Sequence, residues 1–423
     1  MIKFDRIIAW IFIFGFICLI PNKSYVIYSD ELCYLLLLII GLIDCVVNKK
    51  WRSYSLMMML IGVMLFYLVY SNVAVHYSSF KATLVDFVIE MKSYIAFSVV
   101  LGMKPEFNSM EKLILQGLSL VNAVISFVVL CCGNAVIDAV MAHPYIGGTT
   151  IFISAMVYLY VSIDSDGFIS RKNLLVVAFL LIMGLVCGRS KYYGEVVVAL
   201  YFMFIYRPGF LKRLTPGHLA VVCCVLLLVV AVGWQKFDYY FISGNVDATR
   251  FDPEVIESFA RPVLYLTGGM ILLDHFPFGT GLASFASSSS TDPYSGVYHE
   301  YGIDKVYGLS EAEPMFICDA YYPLLAQFGV FGLVLFVWFW VYAYSYLKTL
   351  MRTNAEKYRY QIVIGVNIVI FLLIECIGGN TLAQGPGVAS MMLLGYVCGQ
   401  GAKVMDGKNE EKLELQSVTK KYI

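Results

Sequence analysis

The feature that most constrains this chain is the recurrence of long apolar runs. They fall at about 7–21, 31–47, 55–70, 82–102, 112–131, 146–163, 173–187, 192–206, 218–235, 321–347, 360–377 and 386–400. A helix rises about 1.5 Å per residue, so a run of roughly 15–20 apolar residues approaches the hydrocarbon thickness of a bilayer. Within lipid every backbone N–H and C=O needs a partner in the protein, and a helix supplies them internally. The expected fold is an all-α polytopic integral membrane protein of about twelve transmembrane helices. Composition agrees: 60% of the residues are hydrophobic and 14% charged, where a soluble domain is nearer half apolar and about a quarter charged. A cytosolic enzyme, a secreted disulfide scaffold and a disordered chain are excluded.

The 11 cysteines add no competing framework. Most lie inside apolar runs, such as Cys187, Cys223, Cys224, Cys376 and Cys398, without CxxC or Cys/His spacing. They are expected to be small core residues, with no metal site. At the N-terminus, Lys3 and Arg6 precede the apolar stretch Ile7 to Ile20, as in a signal peptide. The stretch ends in Ile20-Pro21-Asn22-Lys23, with no small-x-small cleavage site, so an uncleaved first span is expected.

Orientation follows from lysine and arginine, which favour cytoplasmic segments. With the N-terminus inside, the inner segments hold most of the basic residues, including Lys49, Lys50, Arg52, Arg207, Lys212, Arg213, Lys348, Arg352, Lys357 and Arg359. The outer segments hold few: Lys23, Lys81, Arg189, Lys191, Lys236, Arg250, Arg261 and Lys305. Both termini are therefore expected in the cytoplasm. Overall net charge is zero and names no partner, nucleic acid included.

One segment breaks the pattern of short connections. Residues 236–320, roughly eighty residues, are too long for a simple connector. The expected division is spans one to nine in 1–235, a large, partly helical outer loop at 236–320, spans ten to twelve in 321–400, and a cytoplasmic tail at 401–423. The loop is rich in acid, Tyr, Ser and Gly. Aromatic and hydroxyl side chains suit sugar rings, and equally a membrane-interface belt. Asp252-Pro253-Glu254 has the pattern of a helix start. Pro262 biases Arg261 away from helical geometry and opens a second helix through about His275. An arginine at a helix N-terminus is an anion site, because free N–H groups and guanidinium point to one place. The alternative is an interfacial arginine paired with Glu257 or Glu254. Gly279 and Gly281 then mark a sharp turn with close backbone approach.

Charges inside spans are costly unless paired or facing a wet cavity. Asp86, Glu90 and Lys92 lie in the fourth run, Glu195 in the eighth and Glu375 in the eleventh. Asp86 and Glu90 share a helix face, and Lys92 needs a partner from another helix. A polar cavity open to the outside and a set of buried structural pairs both satisfy this pattern. Arg189 and Lys191, in the tight hairpin between runs seven and eight, sit on the outer side, which points to an anionic ligand, with nearby Glu195 as an alternative partner for one of them.

Two function classes fit. One is an enzyme acting from the outer face on a lipid-linked anionic substrate, which needs one large outer segment and converging arginines. The other is a secondary transporter or flippase, which suits the span count but usually carries internal repeats, and none is evident. The strings Arg261-Pro262-Val263-Leu264-Tyr265, Leu273-Asp274-His275-Phe276-Pro277-Phe278-Gly279-Thr280-Gly281, Asp319-Ala320-Tyr321-Tyr322-Pro323, Cys187-Gly188-Arg189-Ser190 and Glu90-Met91-Lys92-Ser93-Tyr94 together resemble the Wzy-type O-antigen and capsular polysaccharide polymerases of the O-antigen ligase/polymerase superfamily. Where the ligase branch usually carries His-Asn, this chain has Cys318-Asp319, which favours the polymerase branch over transfer to lipid A-core.

The resemblance implies a metal-independent, cofactor-free glycosyltransferase of the bacterial inner membrane. It would move a growing glycan from undecaprenyl pyrophosphate to the next lipid-linked repeat unit on the periplasmic face. Its partners would be membrane lipid and a chain-length regulator and flippase of the same pathway. The expected catalytic residues are Arg189 and Arg261 on the leaving pyrophosphate and Asp319 on the acceptor side. Asp319 has the competing role of a helix cap. Lys92, Lys191, Arg250, Gly279, Gly281, Glu313 and His299 are expected to contact substrate.

Overall fold

The computed structural model describes residues 4–19, 28–141, 143–207, 234 and 260–421. The run at 218–235, all but Trp234, and the segment holding Arg250, Asp252 and Glu257 lie outside the described residues. Among the described residues the regular structure is helical, with one isolated bridge between Thr291 and Tyr294.

The helices are α1 (Asp5–Ile17), α2 (Ser29–Val47), α3 (Ser55–Tyr70), α4 (Phe80–Met103), α5 (Ser109–Cys131), α6 (Asn134–Val140), α7 (Pro144–Val161), α8 (Arg171–Met183) and α9 (Ser190–Leu200), followed by α10 (Ala260–Asp274), α11 (Gly296–Glu300), α12 (Tyr321–Leu324), α13 (Gly329–Asn354), α14 (Arg359–Glu375) and α15 (Gly385–Lys421). Their starts are written locally. Ser79 caps α4 by accepting from the Ala82 N–H at 3.2 Å, and Ser170 does the same for α8 with Asn173. Asn108 and Glu111 form a reciprocal capping box on α5. Glu111 Oε2 also accepts from Arg6 at 2.9 Å, so the cap ties α5 to α1.

Four described segments are long and apolar enough to cross a membrane: Ser55–Val75, Ser109–Cys131, Pro144–Val161 and Tyr321–Asn354. Most of the other expected runs also fold as helices, but α1, α8, α9 and α14 have only 13, 13, 11 and 17 residues. α4 has 24 residues and carries Asp86, Glu90 and Lys92. α15 continues well past the expected end of the last run.

The apolar faces show why the chain belongs in a membrane. Val121, Val124 and Val128 on α5, and Val334, Val337 and Val341 on α13, recur at helical spacing and are all exposed. Their helices turn the opposite face to a packed interior. Apolar stripes of this kind are a liability in water and are satisfied by lipid. In the interior, α4 packs on α2, α3 and α15, α5 on α7, and α9 on α14. Phe339 fixes α13 to α4 through ring contacts with Tyr94 at 4.9 Å and Phe97 at 5.2 Å.

The tenth expected run is not one continuous helix. α12 ends in a 3-10 turn, Leu325–Phe328, and α13 restarts at Gly329 with φ +61°. The 277–281 turn is seated on that break: Gly281 N–H donates to Gln327 O at 2.8 Å, and Phe331 N–H to Pro277 O at 3.0 Å. Gly279, at φ +72°, approaches so closely that a Cβ there would lie 2.3 Å from Ala326 O. Gly279→Ala is expected to cost about 1–3 kcal/mol of overpacking, with left-handed strain added. A thermal midpoint in detergent equal to wild type would contradict this seating.

Candidate functional site

The charged residues of α4 serve different ends. Asp86 is fully buried, and its Oδ2 accepts from the Ala283 N–H at 2.8 Å and from Gln327 Nε2 at 3.0 Å. Ser71 Oγ accepts from the neighbouring Leu282 N–H at 2.7 Å. Asp86 thus anchors the 277–290 loop to the helix core, the structural of the two roles open to it. Glu90, one turn on, borders a small apolar cavity of ≈ 90 Å³ with Tyr94, Tyr321 and Phe339.

Lys92 points to the other side of α4, as its position in the turn requires. It is 2% exposed. Its ammonium bonds Asp30 and, at 2.8 Å, Glu31 Oε1, both in the first turn of α2. This triad forms one wall of a cavity of ≈ 440 Å³, shared with His143, Tyr145, Cys318, Asn380 and Gln384. The residues come from α2, α4, the start of α7 and the segments before α12 and α15. The cavity is therefore assembled at the ends of helices rather than along any one of them.

The remaining cations do not line that cavity but lie behind its wall. Gly188, at φ +67°, ends the α8 hairpin arm and turns Arg189 towards α7. Arg189 Nη2 donates to His143 Nε2 at 2.8 Å. A guanidinium can only donate, so Nε2 faces a donor, and Nδ1 likewise faces the Tyr145 backbone N–H at 3.3 Å. Lys191 bonds Glu375 Oε2 at 2.6 Å and Gly378 O at 3.2 Å, and lies 5.2 Å from the Tyr145 ring centroid. Thr381 Oγ1 donates to the same Glu375 oxygen at 3.0 Å. Arg261 forms an ion pair with Asp319, and its guanidinium packs against Gly378. Gly378 is thus the meeting point of Lys191 and Arg261, and the His143–Tyr145 wall joins Arg189 and Lys191 to the cavity.

Two expectations about local structure change. Arg261 is helical, within α10 (Ala260–Asp274 among the described residues). Asp319 is not a helix cap. The N-cap of α12 is Ala320, which makes no side-chain cap bond. The Tyr321 and Tyr322 N–H groups instead donate to Cys376 O.

Charge balance distinguishes one cation. Lys92, Lys191 and Arg261 each have a carboxylate partner. Arg189, among the described residues, meets only the imidazole of His143. Burial, followed by the charges of Arg189 and Lys191, pushes the His143 pKa down from 6.5 to about 4, so the ring is neutral at physiological pH. The unfolded chain takes up this proton near pH 6.5 and the folded chain only near pH 4. Stability from His143 is complete above pH 6.5 and is lost as pH falls from there towards 4. His143→Gln should flatten that part of the thermal midpoint against pH. An unchanged slope would show that His143 does not carry it.

The other expected substrate contacts do not join this cluster. Gly279 and Gly281 commit their backbone to the break before α13, and neither lines the cavity. Glu313 is exposed, its N–H turned to Ser310. His299 is paired with Asp304 at 2.8 Å and stacked edge-on against Tyr294. Arg250 lies outside the described residues. Conversely, Asp30, Glu31, His143, Tyr145 and Asn380 line the cavity without having been singled out. The adjacent acids at the start of an apolar run were the one available signal. Among the described residues no cluster of three His, Cys, Asp or Glu could hold a metal ion. Neither a known family model nor any curated protein matches the chain.

Proposed function

We propose that the chain polymerises a lipid-linked surface polysaccharide, transferring the growing glycan from undecaprenyl pyrophosphate to the next lipid-linked repeat unit. The observation that carries this reading is Arg189, a cation without a carboxylate partner among the described residues, held by a neutral imidazole on the wall of a polar cavity. A pyrophosphate leaving group develops negative charge as the anomeric C–O bond breaks, and a fixed guanidinium stabilises it. Arg261 and Lys191, oriented by Asp319 and Glu375, would bind the flanking phosphate oxygens. Tyr145, Asn380 and Gln384 offer the ring face and hydrogen-bonding groups that a sugar requires. Lipid-facing helices beside the cavity suit a substrate that remains in the bilayer.

In this reading the protein has about twelve spans, lies in the bacterial inner membrane with both termini cytoplasmic, and presents 236–320 to the periplasm. Reporter fusions at Gly244 and Asn409 test the orientation. Periplasmic activity at Gly244 with cytoplasmic activity at Asn409 is expected, and the reverse would overturn it. Deletion of the gene tests the activity: surface polysaccharide should shrink to a single repeat unit. A strain that keeps its full ladder, or loses even the single unit, refutes polymerisation.

A further inference from the structure

The acceptor half of the proposed reaction needs a group to take the proton of the attacking hydroxyl. Both ring nitrogens of His143 face donors, Nε2 the Arg189 guanidinium and Nδ1 the Tyr145 N–H. Asp319 uses Oδ2 on Arg261 and does not line the cavity. Asp86 is spent on the Ala283 N–H and Gln327. Glu31 differs from all three. Its Oε1 is fixed by Lys92, while Oε2 is buried with no donor to it, in a carboxyl that lines the cavity and lies within hydrogen-bonding reach of the Asp30 carboxyl. The charge count points the same way, since two carboxylates, Asp30 and Glu31, share the single ammonium of Lys92. One negative charge is left over, and one proton cancels it. The other titratable groups around Glu31 are the Cys33 thiol and, lining the same cavity, the thiols of Cys18 and Cys318 and the imidazole of His143.

A second, independent feature shows that this wall is built to receive hydrogen-bond donors. Asn380 is 5% exposed, lines the same cavity, and has an Oδ1 with no partner among the described residues. A buried acceptor left unmade is costly, and a sugar hydroxyl would supply the missing donor.

We propose that Glu31 is the general base of the acceptor side, with Asn380 accepting from a second hydroxyl of the same sugar. The inference rests on the polymerase reading above. In the step, the acceptor hydroxyl oxygen bonds to the anomeric carbon as its proton passes to Glu31 Oε2. The anomeric C–O bond to pyrophosphate breaks, and its electron pair leaves on the pyrophosphate beside Arg189. Glu31 then returns its proton to solvent.

The experiment uses the full chain in lipid nanodiscs with the lipid-linked single-repeat unit extracted from a deletion strain, following polymer length. Glu31→Gln, which keeps shape but cannot accept the proton, should lower kcat about 100-fold or more, leave KM within a few-fold, and lose the acid limb of the pH–rate profile. Glu31→Asp should recover part of the rate. Asp30→Asn, which also touches Lys92, should keep the acid limb. Thermal midpoints and monodispersity of each variant separate lost chemistry from lost folding. Glu31→Gln that is folded and within threefold of wild type overturns the proposal, as does loss of the acid limb in Asp30→Asn alone. If Glu31→Gln does not fold, the acid limb of Glu31→Asp decides: an unmoved limb overturns the proposal and a shifted one supports it. Wild-type protein that never extends the repeat unit refutes the polymerase reading and the base with it. An active wild type with an active Glu31→Gln refutes the base alone.

Discussion

Arg189→Ala should abolish polymer while leaving the protein in the membrane at normal abundance. The separation of the two effects comes from the partner. Arg189 donates to a neutral imidazole, so its removal strands no buried charge, and the hairpin turn is set by Gly188 rather than by the arginine. A lost charge-assisted hydrogen bond costs about 1.5–3 kcal/mol, and more where the contact strengthens in the transition state. Arg189→Lys should rescue poorly, because an ammonium is a point charge and cannot form the bidentate pair. Arg261→Ala should also shorten the polymer. It leaves Asp319 unpaired at about one-third exposure, where water compensates the charge and stability is little affected. Ladder length and immunoblotted protein level check both variants. A full ladder from Arg189→Ala removes Arg189 from the site.

Lys92→Met should have the opposite profile, with the loss falling on stability. Lys92 is buried and holds two carboxylates, Asp30 and Glu31, whose side chains are 12% and 28% exposed. Removing the shared cation leaves both acids against each other in a low dielectric. Breaking a buried pair in this way costs about 3–5 kcal/mol. The triple variant Lys92→Met, Asp30→Asn, Glu31→Gln should regain much of that stability, since no charge is then left unpaired, yet remain inactive. Thermal unfolding of purified protein measures the first effect and polymer length the second. A Lys92→Met midpoint equal to wild type would show that the triad does not join α2 to α4.

Much of this could be inferred from local sequence because hydropathy and capping are local. Each described apolar run forms helix, the Gly188–Lys191 link makes a hairpin, and Asn108 and Glu111 announce α5. The position of Arg189 and Lys191 at a helix end followed from where the hairpin had to turn. Partner choice had no such signal. Lys92 had a recognised need for a counter-charge, but Asp30 and Glu31 are about sixty positions away and meet it only because α2 packs on α4. Asp319 has the sequence position of a helix cap, yet the Cys376 carbonyl already satisfies the helix start and frees the carboxylate for Arg261. Gly279 and Gly281 announce a tight turn, but only the packing against the broken start of α13 shows that the turn is spent on backbone contact. The sequence by itself determined the helices, the membrane as solvent and the cations that needed partners. Which acids Lys92, Lys191 and Arg261 met, and that Arg189 met none among the described residues, was decided by helix packing, because such contacts join segments with no local energetic trace of one another.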